Sequence, residues 1–160
     1  MTGLQTVERS DTISLAALTE EVFCDLDPVA EKHQIRLIQT EDDCTVTGSY
    51  ILLYRAVYNL VENAIKYNRP SGSVTVGIHS AETAVLEVTD TGIGISPENQ
   101  EKIFDPFYRV DKSRSRAMGG AGLGLALVSE IARQHNGQVK VTQSSEKGST
   151  IALMLPVTLL

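Results

Sequence analysis

The order in which two hydrophobic periods alternate along this chain most constrains its fold. Residues 73–79 (SVTVGIH) and 84–90 (AVLEVTD) alternate apolar and polar side chains around a short polar turn, the pattern of a half-buried β-hairpin. Residues 138–143 (QVKVTQ) and 149–155 (STIALML) repeat it around the turn SSEKG. The shorter runs IRLIQ (35–39) and CTVTG (44–48) predict another strand pair about the acidic turn Glu41–Asp43. Three stretches of helical period separate these pairs. The first has Ser14 as its N-cap, then Leu15, Leu18, Val22, Leu26 and Val29 on one face, with a kink expected at Pro28. The second runs from about Ser49 to Tyr67 and is broken by RPSGS. The third, LGLALVSEIARQHN, ends at Gly137. A short helix is also expected over SPENQEKIF, with Ser96 as cap and Pro97 at its first position. Hairpins require antiparallel pairs, and long apolar helices require a sheet face to cover. The prediction is an α/β fold: a two-layer sandwich whose mixed, mostly antiparallel sheet is covered on one face by three helices. Residues 1–11 are expected to form a flexible N-terminal segment and 12–160 a single domain.

Charge and composition exclude several classes. The net charge of −6 argues against a dedicated nucleic-acid binder. No apolar run approaches the roughly 18 residues of a membrane span, and the N-terminus lacks the pattern of a signal peptide. Cys24 and Cys44 have no CxxC or His partner in sequence and read as reduced thiols of a cytosolic protein.

The second helix carries an unusual polar face. In NLVENAIKYN, Asn59, Glu62, Asn63 and Lys66 fall within an arc of roughly 100°, opposite Val57, Leu60, Val61 and Ala64. A solvated stripe is the ordinary explanation, but asparagine is a poor helix former because its amide competes for backbone groups. A ligand-facing arc explains it better. The amide oxygen of Asn63 is a hard donor suited to magnesium, with Asn59 or Glu62 completing the shell directly or through water. Lys66 can reach phosphate and Tyr67 can lie against a base.

Two glycine clusters extend this reading. DTGIGI (90–95) directly follows a strand, so that Gly92 and Gly94 admit close backbone approach beside Asp90. It does not match the dinucleotide pattern, because Pro97 occupies the place of the third glycine, and the chain has no P-loop. GGAGLGLAL (119–127) opens a helix, where free N–H groups and the helix dipole favour phosphate. Just before it, YRVDKSRSR places Arg109, Lys112, Arg114 and Arg116 within eight residues, a positive patch in an acidic chain.

In order, NLVENAIKYN, DTGIGI, FDPFYRV, GGAGLGLAL and KGST resemble the N, first glycine, F, second glycine and third glycine boxes of sensor histidine kinases. The resemblance spans about residues 12–156. It implies the Bergerat ATP-binding fold, with ATP and Mg2+ as cofactors. By position, Asp90 resembles the acceptor of the adenine amine. Asn63 resembles the magnesium ligand, supported by Asn59, and Lys66 the lysine near the phosphates. Tyr67 resembles the aromatic beside adenine, and Phe104 and Phe107 the aromatics that anchor an ATP lid over 108–121. Gly92, Gly94, Ile95, Tyr108, Arg109, Gly120, Gly122, Leu123, Gly124 and Thr150 complete the implied nucleotide site. Asn59, Glu62, Lys66, Arg114 and Arg116 lie nearest the transfer chemistry.

His33, His79 and His135 all lack the H-E-[LF]-[KR]-[ST]-P context of an acceptor histidine. The chain therefore resembles the catalytic domain alone, cytoplasmic and cut from a membrane-bound sensor. Its implied partners are its own dimerisation and phosphoacceptor domain and a response-regulator receiver domain, with no nucleic acid and no membrane contact by this fragment. Two alternatives are a Bergerat-fold ATPase and a non-catalytic nucleotide module. In the hydrolases a glutamate four residues before the metal asparagine activates water. Here that residue is Asn59, which cannot act as a general base at neutral pH. The boxes, moreover, are not eroded.

Overall fold

A computed structural model describes residues 11–106 and 125–157. Strand β1 (Asp11–Ser14) leads into helix α1 (Leu15–Lys32), followed by β2 (Arg36–Gln39), β3 (Thr45–Gly48) and helix α2 (Tyr50–Lys66). The hairpin β4 (Ser73–Ser80) and β5 (Ala84–Asp90) comes next, then two 3-10 turns, Pro97–Asn99 and Lys102–Phe104. Helix α3 (Leu125–Gln134) and the hairpin β6 (Gln138–Ser145) and β7 (Gly148–Leu155) close the described chain. The main sheet has the order β2-β4-β5-β7-β6. Only β2 and β4 pair in parallel, so the sheet is mixed and mostly antiparallel, as the hairpin patterns require.

Alternation along the strands sends Val74, Val76 and Ile78 of β4, and Leu86 and Val88 of β5, into one apolar layer. There they meet Leu18, Val22 and Leu26 of α1, Leu53, Val57 and Leu60 of α2, and Val128 and Ile131 of α3. All three helices pack on the sheet, the two-layer arrangement expected from the sequence.

Four local expectations are corrected. Residues 35–39 and 44–48 do not pair with each other: β2 lies along β4, while β3 pairs antiparallel with β1. The connecting acidic turn explains why. Asp43 leaves the sheet edge to cap α1, its Oδ1 accepting from the backbone N–H groups of Ala16 (2.8 Å) and Cys44 (2.7 Å), and its Oδ2 from the Ser14 hydroxyl (2.8 Å). That swings β3 away from β2 and onto β1. Asp11, expected in the N-terminal segment, instead opens β1 opposite Gly48. Pro28 does not interrupt α1. Proline leaves the carbonyl four residues earlier without its helical donor, and that residue, Cys24, lies on the exposed face of α1. Finally, SPENQEKIF forms 3-10 turns instead of an α-helix, because Gln100 turns its side chain back to the Ile95 carbonyl (3.0 Å) and Asn99 takes the Ser96 hydroxyl (2.7 Å).

Ser14 caps α1 as the sequence implies, Ser49 caps α2, and Ser96 makes no side-chain cap bond to its 3-10 turn. The Ser14 side chain accepts from Ala17 N–H and the Ser49 side chain from Leu52 N–H. Tyr50 and Tyr54 of α2 donate to Glu21 and Asp25 of α1. Burial and the neighbouring Glu21 carboxylate push the Tyr50 hydroxyl up to about 12. Cys24 and Cys44 are both free thiols. Among the described residues no helix is long and apolar enough to cross a membrane.

The Asp43 cap is testable. Desolvation raises its carboxyl, but the hydrogen bonds from Ala16, Ser14 and Cys44 outweigh it and leave the group below its ordinary value of 3.8. Such a group contributes stability above its unfolded value and loses it as pH falls through the lower folded one. Asp43→Ala should therefore cost about 1 kcal/mol at neutral pH, and the difference from wild type should vanish in strong acid. Urea unfolding at both pH values reads this directly.

Candidate functional site

The polar arc predicted from the second helix is real. Asn59, Glu62, Asn63 and Lys66 all lie on α2 and are half-buried, while Val57, Leu60, Val61 and Ala64 are buried on its other side. Lys66 Nζ stands 3.6 Å from Glu62 Oε2, a solvent-accessible i,i+4 pair worth only a few tenths of a kcal/mol. A phosphate could therefore compete for the lysine at little expense. Tyr67 caps the C-terminus of α2. Its hydroxyl is buried and has no hydrogen-bond partner among the described residues, an arrangement that costs about 1–3 kcal/mol unless a ligand or water serves it.

Asp90 ends β5 with its carboxylate fixed by three donors. Oδ1 accepts from Gly92 N–H (2.8 Å) and Ser149 N–H (3.2 Å), and Oδ2 from the Ser149 hydroxyl (2.9 Å). Burial raises the carboxyl above its ordinary value, against the lowering effect of these three bonds. A half-buried acceptor held in one orientation favours a ligand that brings one more donor.

The glycines let the backbones close around it. Gly148 has φ +138, and a Cβ there would stand 2.0 Å from the Asp90 carbonyl oxygen, so β7 can meet β5 at this point only through glycine. Gly94 has φ +79 and lies against the Ser145 carbonyl. Ile95 donates its N–H to the Ser144 hydroxyl (2.6 Å), which fixes the glycine loop on the end of β6.

The strand register separates Thr150, expected at the nucleotide site, from Ser149, which the sequence reading did not single out. Asp90 pairs with Ser149, and Thr89 with Thr150. Successive strand residues face opposite sides, so the Thr150 hydroxyl meets Thr89 Oγ1 at 2.9 Å on the far side. Ser149 is the hydroxyl beside Asp90. Only the β5–β7 register distinguishes the two. Phe104 is partly buried against the core, and its 3-10 turn packs on α3, as an anchoring role requires. Phe107, Tyr108, Arg109, Arg114, Arg116, Gly120, Gly122, Leu123 and Gly124, with the expected lid, lie outside the described residues.

The three histidines occupy structural positions. His33 caps α1, with Nδ1 2.9 Å from the Val29 carbonyl. His79 lies on the sheet 3.6 Å from Glu87. His135 is buried, with Nδ1 2.8 Å from the Ile131 carbonyl and Nε2 accepting from Ser49 N–H at 3.1 Å.

Comparison with known proteins adds the family. The model of the histidine kinase-, DNA gyrase B- and HSP90-like ATPases matches residues 48–159. The chain belongs to this family. Its relatives are sensor histidine kinases. The sensor-like histidine kinase SenX3 of Mycolicibacterium smegmatis is 37% identical over 158 residues, 96% of this chain and 41% of the relative. The sensor histidine kinase CusS of Escherichia coli O157:H7 is 35% identical over 153 residues, 95% of this chain and 32% of the relative. Among solved structures, the mycobacterial sensor histidine kinase MprB superposes with a TM-score of 0.78 at 28% identity, covering 94% of this chain and 99% of that one. The chain thus corresponds to the catalytic ATPase domain of sensor histidine kinases. It spans less than half the length of these two curated relatives.

Proposed function

We propose that this domain binds magnesium–ATP and donates the γ-phosphate to a histidine on a separate dimerisation domain. The observation that carries the reading is the fixed, half-buried carboxylate of Asp90, held between the first and third glycine boxes. The unpartnered Tyr67 hydroxyl, at the end of the helix that bears Asn63, supports the same site.

In this reading Asp90 accepts a hydrogen bond from the adenine amine, with Ser149 and Gly92 holding its oxygens still. Tyr67 lies beside the base. Asn63, with Asn59 or Glu62 directly or through water, holds magnesium, which supplies charge neutralisation to the phosphates when bound. Lys66 leaves its pairing with Glu62 to meet phosphate. Arg114 and Arg116, with Gly120, Gly122 and Gly124, close over the triphosphate as the lid. Phosphoryl transfer asks the protein mainly for positioning and neutralisation, and these residues supply both. Asn59, which carries no basic group, leaves water unactivated, so the phosphoryl group waits for the acceptor imidazole.

We further infer the partners to be the acceptor-histidine domain of the same parent and a response-regulator receiver. The parent is inferred to be a membrane-bound sensor with this domain on its cytoplasmic side.

The test is γ-phosphate labelling. The lone chain should bind ATP, turn it over very slowly and remain unlabelled. Adding the parent's acceptor domain should yield an acid-labile, base-stable phosphoprotein. Brisk hydrolysis by the lone chain would favour the ATPase reading instead, and self-labelling would implicate His33, His79 or His135.

A further inference from the structure

Beyond the boxes themselves, we propose that Asn68 and Thr91 form a polar clamp that sets the spacing between the phosphate end and the base end of the nucleotide site. Both are positioning residues, and the proposal rests on the ATP reading above.

The geometry is a closed ring. The Asn68 side chain donates through Nδ2 to the Ser73 carbonyl (2.9 Å). Its Oδ1 accepts from Arg69 N–H (2.8 Å) and from the Thr91 hydroxyl (2.9 Å). The Thr91 hydroxyl in turn accepts from Ser73 N–H (2.9 Å). These donors and acceptors leave the carboxamide a single orientation, because a flip would oppose like groups at two contacts, donor to donor at Arg69 N–H and acceptor to acceptor at the Ser73 carbonyl. The ring joins the residue after Tyr67, at the end of α2, to the residue after Asp90, at the end of β5, and both to the first residue of β4.

The backbone is shaped around this clamp. A Cβ on Gly72 would stand 2.4 Å from both Asn68 Oδ1 and Thr91 Oγ1, and one on Gly92 would stand 2.4 Å from the Tyr67 carbonyl oxygen. Neither approach is open to another residue type without displacing the ring or the helix end. Arg69 also donates to the Glu146 carbonyl, which brings the β6–β7 turn to the same junction. The helix carrying Asn63 and Lys66 and the strand end carrying Asp90 are thereby fixed relative to one another by side chains that need not touch nucleotide.

A clamp of this kind acts as one unit, so its parts should be non-additive. ATP and GTP affinities of the full chain, measured by calorimetry well below the unfolding temperature, test this. Thr91→Val and Asn68→Ala should each weaken ATP binding about three- to ten-fold, the scale of one or two lost hydrogen bonds. The double variant should be no worse than the weaker-binding single. Thr91→Ser, which keeps the hydroxyl, should bind like wild type. The preference for ATP over GTP should narrow in Thr91→Val, an effect that simple loss of stability would not produce. If Asn68→Ala fails to fold, Asn68→Asp, which retains both acceptor contacts and loses the donor to Ser73, takes its place in the cycle. Multiplicative losses in the double variant, or ATP affinity and preference within two-fold of wild type in Thr91→Val, would overturn the clamp while leaving the nucleotide site standing. Absence of ATP binding by the wild-type chain would instead remove the nucleotide reading and the clamp together.

Discussion

Asn63→Ala should abolish phosphoryl transfer to an added acceptor domain and remove the magnesium dependence of ATP binding, while the domain stays folded. Position and propensity separate these effects. Asn63 is half-buried on the polar arc of α2, away from the apolar side formed by Val57, Leu60 and Val61. Alanine is the better helix former, by up to about 0.7 kcal/mol, so helix propensity favours the variant. The functional loss is that of the amide oxygen, for which neither Asn59 nor Glu62 can substitute without moving a turn of helix. Transfer should fall by at least about a hundred-fold, the upper end of what disturbing a metal shell costs. Calorimetric titration with and without magnesium, beside γ-phosphate labelling, reads both effects. A magnesium dependence equal to wild type would take Asn63 out of the metal shell.

Asp90→Asn should produce the second large change: a loss of ATP affinity of about 10- to 100-fold, with GTP drawing level. The two backbone donors from Gly92 and Ser149 both meet Oδ1, so an asparagine keeps its oxygen there and turns its NH2 to the Oδ2 position. Ser149 can accept from that amide, which leaves the local structure satisfied. Toward a ligand, however, a donor now stands where an acceptor stood. The adenine amine meets another donor, whereas the guanine carbonyl finds a partner. In the wild type the opposite mismatch holds, with carboxylate facing carbonyl, so ATP and ADP should bind far better than GTP. Each unmatched buried polar contact costs about 1–3 kcal/mol. Equal wild-type affinities for ATP and GTP would remove Asp90 from the base pocket.

The same substitution has a signature without nucleotide. Burial raises the Asp90 carboxyl in the folded domain above its ordinary 3.8, despite its three donors. The stability contributed by its neutral form is complete below that ordinary value and is lost as pH rises through the raised folded one. Asp90→Asn should abolish this component. Its stability relative to wild type should therefore rise between acid and neutral pH. The Asp43 contribution runs in the opposite direction at the other end of the fold.

The family resemblance was legible because its boxes are local strings, and so were the elements that depend on near neighbours. Leu18, Val22 and Leu26 recur at helical spacing because a helix buries one face whatever lies opposite. Ser14 and Ser49 announce helix starts because their hydroxyls serve donors three residues away. The two long hairpins close over short turns, so their pairing is nearly a local matter as well. The asparagines of α2 were visible as an anomaly, since nothing in helix propensity favours them.

Tertiary structure decided whatever depends on distant partners. Residues 35–39 and 44–48 read as a pair until Asp43 is spent on the N-terminus of α1, a demand that no window around the turn contains. Pro28 is tolerated where the residue it deprives of a donor, Cys24, is exposed, which depends on how α1 sits on the sheet. Ser149 and Thr150 are chemically alike in sequence. Only the pairing of Asp90 with Ser149 puts one hydroxyl on the carboxylate and the other on Thr89. The Asn68–Thr91 ring joins residues 23 apart, and neither reads as more than a turn residue by itself. Periodicity and capping are set by free energies within a few residues, whereas register and polar closure are set by which distant donors and acceptors the fold brings within 3 Å.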